Sequence, residues 1–286
     1  MKIMEKIDWN DIWKNQMLKQ IGSHQAVDCA SIWEEKENAK RFWEMAQENG
    51  GERIKKTISG ISIYSDSRVL DVGAGPGTLA VPLAERVAHV TAVEPSEGMM
   101  NVLQDNISEY GTDNITCVQK RWEDVNVEED LGTPYDVVIA SFSLGMPDIR
   151  ESIQKMIDAS SRYVYLYWFA GEPSWDIHYR ALWPSLHEAD YQPGPKCDVL
   201  YNVLYQMGIY PHIEVFPLEH VNRFYSMDEA VEYSKSHYKI TTDRQESVLR
   251  DYLEGVLEKD NDSLIMRGST TRVKMWWEKP TDENCI

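Results

Sequence analysis

Two acidic residues and three glycines are spaced in a way that could hold a nucleotide-like ligand. Asp71 closes a short apolar run, and glycines follow at positions 73, 75 and 77 in VLDVGAGPGTLA. A second acid, Glu94, ends the next apolar run, near the position at which nucleotide-binding folds carry a ribose-binding carboxylate. Glycine lets backbone amides approach a ligand closely. The dinucleotide pattern is G-x-G-x-x-G, so the G-x-G-x-G spacing found here disfavours a nicotinamide-dependent dehydrogenase.

These residues need a fold that brings the ends of neighbouring strands together. Strand-like runs alternate with helix-like runs: the predicted strands are SRVLDVG, HVTAVEP, NITCVQKRW, YDVVIASFSL and RYVYLYWFA, and the predicted helices are GTLAVPLAERVA, SEGMMNVLQDNISEYG and DIRESIQKMIDASS. This alternation is typical of βαβ units and predicts an α/β fold with a doubly wound, mostly parallel sheet. The glycine turn then lies at the carboxyl end of the first strand, where ligands of such sheets bind.

The segments VLDVGAGPGTLA and VTAVEPSEGMM resemble motifs I and II of the class I S-adenosylmethionine-dependent methyltransferases. The resemblance implies a seven-stranded sheet, S-adenosylmethionine as the cofactor, and direct attack of an acceptor on the sulfonium methyl group. It further implies that Asp71 orients the loop and the methionine amino end, and that Glu94 holds the ribose. The other implied cofactor contacts are the backbones of Gly73, Ala74 and Gly75, and an adenine lining made by Pro95, Ser96 and Met99.

The ends of the third and fourth strands supply the remaining candidates that the resemblance implies. After the third strand, Trp122 and Glu123 in KRWEDV stand where an adenine-contacting residue is expected, and Trp122 could stack on the ring or only pack the sheet edge. After the fourth strand, Ser141 and Phe142 are expected near the methionine part. That strand ends in SFSLG and lacks the D/N-P-P-Y-like motif of many amino-methylating nucleic-acid enzymes.

Two segments are predicted to cover the sheet. Residues 1–60 are predicted to form a helical cap that contains Trp9, Trp13, Trp33 and Trp43. The helical stretch SIWEEKENAKRFWEMAQEN within this cap is predicted to end at NGG. Residues 61–286 are expected to form the cofactor-binding domain, with an aromatic-rich inserted cap around residues 171–195 after the fifth strand. Both caps could close an apolar pocket above the carboxyl edge of the sheet.

The acceptor is predicted to be a small molecule. A protein side chain is the first alternative, and a non-catalytic protein that only binds S-adenosylmethionine is the second. His178 and His187 in the inserted cap are candidate bases, but a histidine among Trp and Tyr residues is more often a packing residue. We therefore assign no catalytic residue from the sequence. The oligomeric state also stays open.

The composition limits the classes of binding partner and the cellular location that we expect for the chain. The chain has 29 basic and 47 acidic residues, a net charge of −18 that disfavours binding to nucleic acid. Its tightest basic group, Arg53, Lys55 and Lys56, is interpreted as a solvated helix face. Four scattered cysteines, Cys29, Cys117, Cys197 and Cys285, lack metal-ligand spacing, so no metal is predicted, and they fit the reducing cytoplasm. The longest apolar run, YVYLYWFA, is too short to cross a membrane.

Overall fold

Eight strands and nine α-helices form within residues 7–23, 30 and 33–279, the residues that the computed structural model describes. The strands are β1 (Arg68–Val72), β2 (His89–Val93), β3 (Ile115–Val118), β4 (Tyr135–Ser141), β5 (Ser160–Phe169), β6 (His212–Phe224), β7 (Glu258–Asp260) and β8 (Ser263–Glu278). The helices are α1 (Trp9–Ser23), α2 (Lys36–Ser59), α3 (Ala80–Ala84), α4 (Glu97–Tyr110), α5 (Ile149–Ala159), α6 (Ser174–His187), α7 (Cys197–Gln206), α8 (Met227–Tyr238) and α9 (Asp243–Val256). Cys29 and Cys285 lie outside the described residues.

The strands form one sheet in the order β3-β2-β1-β4-β5-β8-β6. The first five strands of this order are parallel, and β8 runs antiparallel to both β5 and β6. The predicted α/β fold with a mostly parallel sheet is therefore confirmed. The eighth strand is the three-residue β7, which pairs only with β8 among the described strands.

Alternating side chains of the strands pack against two layers of helices. On β5, Val164 and Leu166 join a core with α1, α5 and α7, which we call the α5 face. Tyr165 and Tyr167 point to the opposite side and join a core with α2 and α3, which we call the α2 face. The first sixty residues thus contribute to both sides of the sheet, because Trp13 of α1 packs on the α5 face while α2 crosses the α2 face.

The strands β6 and β8 continue past the sheet as a two-stranded ribbon. Residue Arg272 of β8 pairs with Phe169 at the carboxyl end of β5, so residues 264–271 and their partners in 217–224 extend beyond that end. The helices α6, α8 and α9 pack together with this ribbon in a separate cluster that includes Phe224 and Leu264. The inserted cap is therefore one part of a unit beside the carboxyl edge. The domain division at residue 60 stays a prediction.

The extents of two helices, α2 and α3, differ from those predicted. The helix α2 does not end at NGG but continues to Ser59, although Gly50 and Gly51 adopt φ of 68° and 66°, which interrupts regular helix geometry. The predicted helix after the glycine turn is reduced to the five residues of α3, which contain Pro82. Because proline removes a backbone donor, a longer helix through this position is disfavoured.

Candidate functional site

The glycine loop, residues 73–77, is bound to the end of the neighbouring strand β2. The amides of Gly73 and Ala74 both donate to the carbonyl of Val93, at 2.8 and 3.0 Å. These bonds turn the chain sharply after β1. Gly73, Gly75 and Gly77 all have positive φ, which glycine adopts without a steric penalty. The sequence spacing is therefore explained by the backbone geometry of the turn.

The carboxylate of Glu94 ties the glycine loop to the start of α4. One oxygen accepts the amide of Gly75 at 2.8 Å, and the other accepts the amide of Ser96 at 2.9 Å. The side chain is buried, and burial raises the pKa of Glu94 while the two amide donors act in the opposite direction. Both oxygens have lone pairs left for further donors such as the hydroxyls of a ribose.

Asp71 lies beside this carboxylate with an oxygen that has no partner. Only 1% of the residue is exposed, and its Oδ2 makes no hydrogen bond to any described part of the chain. Burial, with a smaller effect from the charge of Glu94, raises the pKa of Asp71 to about 7. An orphaned buried oxygen is costly unless a ligand or water satisfies it. Two neighbouring buried acids fit a ligand that carries an ammonium group and hydroxyls.

Gly73 has no room for a side chain. A Cβ added there would lie 2.3 Å from the Cβ of Ser143, whose hydroxyl donates to the carbonyl of Val72. The loop after β4 therefore contacts the glycine loop directly. This contact brings the carboxyl ends of β1 and β4 together, as the parallel register of the two strands requires.

The predicted adenine lining forms the start of α4 and is covered by the chain before α2. Ser96 is the N-cap of α4, and its hydroxyl accepts the amide of Met99 and donates to the carbonyl of Trp33 at 2.7 Å. A Cβ on Gly98 would lie 2.4 Å from that same carbonyl, so only glycine permits this approach. Met99 is 3% exposed in a small cluster with the aromatic rings of α2, while Pro95 is half-buried.

Of the two roles predicted for Trp122, the structure favours packing at the sheet edge over stacking on an adenine ring. The indole is 3% exposed, its Nε1 donates to the carbonyl of Ser152 at 3.0 Å, and the Lys155 ammonium lies 5.3 Å from the ring. With both ends of the indole engaged in the core, no ring face is open to a ligand. The neighbouring Glu123 is exposed, and its role stays a prediction.

Ser141 and Phe142 lie at the carboxyl end of β4, as predicted. Both are half-buried. Phe142 has φ of 58°, a conformation that a bulky residue rarely adopts and that marks local strain. Its amide donates to the carbonyl of Tyr167 at 3.0 Å, and the guanidinium of Arg272 lies 4.3 Å from its ring centroid. Sequence reasoning missed Arg272, although TRVKMWW places Arg272 and Lys274 at period two on one side of a strand.

The two candidate bases are occupied by the helical unit beside the sheet. His178 bonds through Nδ1 to the hydroxyl of Tyr252 at 2.8 Å, and His187 donates from Nε2 to the carbonyl of Tyr238 at 2.8 Å. Burial lowers the pKa of His178. These contacts place both histidines in the packing of α6 against α8 and α9, which supports a structural role.

Metal ligands and membrane-crossing elements were sought over the same described ranges. Residues 7–23, 30 and 33–279 contain no group of three or more His, Cys, Asp or Glu side chains arranged to hold a metal ion. Within those ranges, every helix is too short or too polar to cross a bilayer. A cleft of about 190 Å³, lined in part by Tyr64 and Asp136, lies at the opposite edge, where β1 and β4 begin.

Comparison with known proteins points to one family for the central part of the chain. A family model described as a methyltransferase domain matches residues 69–162. An uncharacterized protein of Haemophilus influenzae is 33% identical over 112 residues, and the 23S rRNA (uracil(1939)-C(5))-methyltransferase RlmD of Enterobacter sp. strain 638 is 30% identical over 115 residues. The matches cover 39% and 40% of this chain, but only 41% and 26% of those relatives.

The fold is also found among solved structures. A methyltransferase-like protein from Bacillus halodurans C-125 superposes with a TM-score of 0.56 at 17% sequence identity. The superposition covers 81% of this chain and 100% of the other. At this identity the likeness concerns the fold alone. It covers a larger share of the chain than the residues 69–162 that the family model matches.

Proposed function

Because residues 69–162 belong to the class I S-adenosylmethionine-dependent methyltransferases, we propose that this chain transfers a methyl group directly to a small molecule. The predicted family and its cofactor are confirmed by the family match. When bound, S-adenosylmethionine supplies an electrophilic methyl group. The acceptor and the activity of the whole chain are the proposal.

One observation carries the cofactor side of this proposal, namely the orphaned oxygen of Asp71 beside the Glu94 carboxylate. The residues of the chain that would hold the cofactor are those that line this point. Asp71 would accept from the amino group, Glu94 would accept from the ribose, and the loop from Gly73 to Gly75 would offer its backbone. These contacts bind and orient the cofactor, and proximity and alignment then promote a direct displacement.

The cover over the carboxyl edge supports a small acceptor. The residues Trp33 and Glu34 lie over the start of α4, and the ribbon with α6, α8 and α9 extends past β5 on the other side. The net charge of −18 opposes the approach of a polyanion. A protein side chain is the runner-up acceptor, and a cytoplasmic location stays a prediction.

The test is the transfer of a radiolabelled methyl group into a cell extract that is then separated into small molecules, protein and RNA. We expect label in the small-molecule fraction. Gly73→Ala serves as the inactive variant, because the structure leaves no space for a Cβ at this position. Gly111→Ala, at a helix end with open space around the Cβ, serves as the matched active control. Label confined to protein or RNA would contradict the small-molecule proposal. Failure of the protein to bind S-adenosylmethionine in calorimetry would overturn the methyltransferase proposal itself.

A further inference from the structure

Arg272 is a buried cation without an acidic partner in the described part of the chain. It lies on β8 opposite Phe169 and is 9% exposed. Its guanidinium stacks on the ring of Phe142, and its Nε donates to the hydroxyl of Thr270 at 3.0 Å. No carboxylate among the described residues forms an ion pair with it. The two terminal nitrogens therefore keep donors for another group.

A second guanidinium, that of Arg53, lies on the helix that packs over this part of the sheet. The ammonium of Lys56 on that helix lies 5.8 Å from the ring centroid of Phe216, which pairs with Arg272. Arg53 of α2 is half-buried, and its side chain makes no hydrogen bond or ion pair to a described residue. Burial and the charge of Arg53 lower the pKa of Arg272 to about 9. His220 of the ribbon lies on the same side of β6 and β8 as Arg272, and burial together with both arginines lowers its pKa. We call Arg53 and Arg272 the arginine pair.

A neighbouring cation on the same strand does have a carboxylate partner, unlike Arg272 among the described residues. Lys274 lies two positions along the same strand, on the same side, and is equally buried, yet its ammonium has the Glu214 carboxylate at 2.7 Å. The chain has 47 acidic against 29 basic residues, so acids are plentiful. An uncompensated buried charge is destabilising. A buried and a half-buried guanidinium, neither with an acidic partner among the described residues, therefore indicate a place for an anionic ligand group.

Aromatic rings lead from the arginine pair along the carboxyl edge. The ring of Phe142 lies 5.2 Å from that of Phe169, which in turn lies 5.2 Å from that of Trp175. The His220 ring follows at 6.2 Å from Trp175. We call these rings the aromatic wall. Such surfaces bind flat apolar groups, and the tyrosine hydroxyl of Tyr167 nearby is buried without a partner in the described residues.

We propose that the arginine pair binds a carboxylate or phosphate group of the methyl acceptor, whose apolar body lies against the aromatic wall. This inference rests on the proposed function. A guanidinium offers paired donors that match either anion. The proposed substrate is therefore a small organic acid or a phosphate ester. Its binding site lies outside the two cofactor motifs, VLDVGAGPGTLA and VTAVEPSEGMM.

The position of the arginine pair indicates that the anionic group it binds belongs to the acceptor and not to the methionine carboxylate of the cofactor. The glycine loop follows β1, whereas Arg272 lies on β8, and β4 and β5 stand between them. Two strand spacings separate β8 from β4, on the order of 10 Å. An acceptor held by its anionic end at β8 can therefore present its nucleophile near the end of β4, where Ser143 contacts Gly73.

The experiment measures binding of three probes to the S-adenosylhomocysteine-loaded protein by calorimetry. The probes are phenylacetate, phenyl phosphate and the neutral phenylacetamide. We expect at least one anion to bind about tenfold tighter than the amide. Arg272→Met and Arg53→Met should each remove most of this preference, whereas Lys55→Met, an exposed charge on the same helix, should leave it unchanged. The preferred anion distinguishes a carboxylate from a phosphate.

Several outcomes would overturn the inference. These are equal affinity for anion and amide, no binding of any probe, or the same loss in Lys55→Met. A fall in S-adenosylhomocysteine affinity of Arg272→Met that matches its fall in anion affinity would assign the guanidinium to the cofactor. Should Arg272→Met not fold, Arg53→Met at the half-buried position carries the test. Cofactor binding without anion preference refutes this inference alone, whereas absence of cofactor binding refutes the proposed function.

Discussion

Asp71→Asn should raise the free energy of unfolding of the ligand-free protein at alkaline pH and lower its affinity for S-adenosylmethionine. The ordinary pKa of an aspartate is 3.8, and burial raises that of Asp71 to about 7. Above pH 7 the folded protein must therefore carry a buried carboxylate whose Oδ2 has no hydrogen-bond partner in the described chain. The difference between the two pKa values corresponds to about 4 kcal/mol as an upper limit. Asparagine has nearly the same shape and no charge.

The sign follows from proton binding. Between pH 3.8 and about 7 the folded state holds a proton on Asp71 that the unfolded state has released. The free energy of unfolding therefore falls as pH rises through this window, and the full loss is present above the folded pKa. We expect the stability of Asp71→Asn relative to the native protein to increase by up to about 2.5 kcal/mol between about pH 5 and about pH 8, because part of the total difference has already accrued below pH 5.

The assay is urea unfolding followed by circular dichroism, without cofactor, across that pH range. Asp66→Asn, which removes the same charge from the exposed turn before β1, is the matched control and should show no such trend. Calorimetry at alkaline pH should show that Asp71→Asn loses about 1.5–3 kcal/mol of S-adenosylmethionine affinity, the scale of a hydrogen bond to a charged group. A difference in stability that does not change with pH would refute the reasoning.

Three further substitutions test the other parts of the site. Gly73→Ala, at φ of 73° with Ser143 2.3 Å from the new Cβ, should cost about 2–4 kcal/mol of unfolding free energy. Gly111→Ala, at φ of 64° with open space around the new Cβ, should cost only about 1–2 kcal/mol of unfolding free energy. Equal losses for Gly73→Ala and Gly111→Ala in urea unfolding would argue against the clash with Ser143. Glu94→Ala should lose about 1–3 kcal/mol of S-adenosylmethionine affinity by calorimetry, and an unchanged dissociation constant would exclude the ribose role. Trp122→Phe, which removes the indole donor, should lower the free energy of unfolding by about 1 kcal/mol with unchanged cofactor affinity. A weakened affinity would restore the stacking role of Trp122.

Local patterns predicted the placement of Asp71, the glycine loop and Glu94 at the ends of β1 and β2, because these residues are close in sequence. The strand, the glycine loop and the acid at the end of β2 fall within residues 68–94, and each is defined by its neighbours. The positive φ of the glycines and the apolar runs of β1 and β2 follow from residue type alone. The contact of Glu94 with the amides of Gly75 and Ser96 did not follow, since it depends on how the loop folds back on β2.

The arginine pair could not be predicted because only the fold brings its members together. Arg53 stands among Lys55 and Lys56, and the interpretation of this group as a solvated helix face is wrong for Arg53, which is half-buried. Its charge lowers the pKa of Arg272. This proximity arises because α2 packs on the face of the sheet that carries Trp276 of β8. The period-two pattern around Arg272 indicated a strand with one basic side, but it did not indicate which carboxylates were absent.

The overall charge and the arginine pair select for different properties of an acceptor. The net charge of −18 repels every anion, and the repulsion grows with the number of charges that an approaching molecule carries. At physiological ionic strength this repulsion fades over about 8 Å, whereas a half-buried guanidinium is screened much less. A molecule with one carboxylate or phosphate therefore loses little on approach and gains direct contacts with Arg53 and Arg272. A nucleic acid experiences this repulsion at each of its many phosphates but gains only the same two contacts. The acidic surface therefore limits the number of negative charges on the proposed acceptor, while the arginine pair favours an acceptor that carries one.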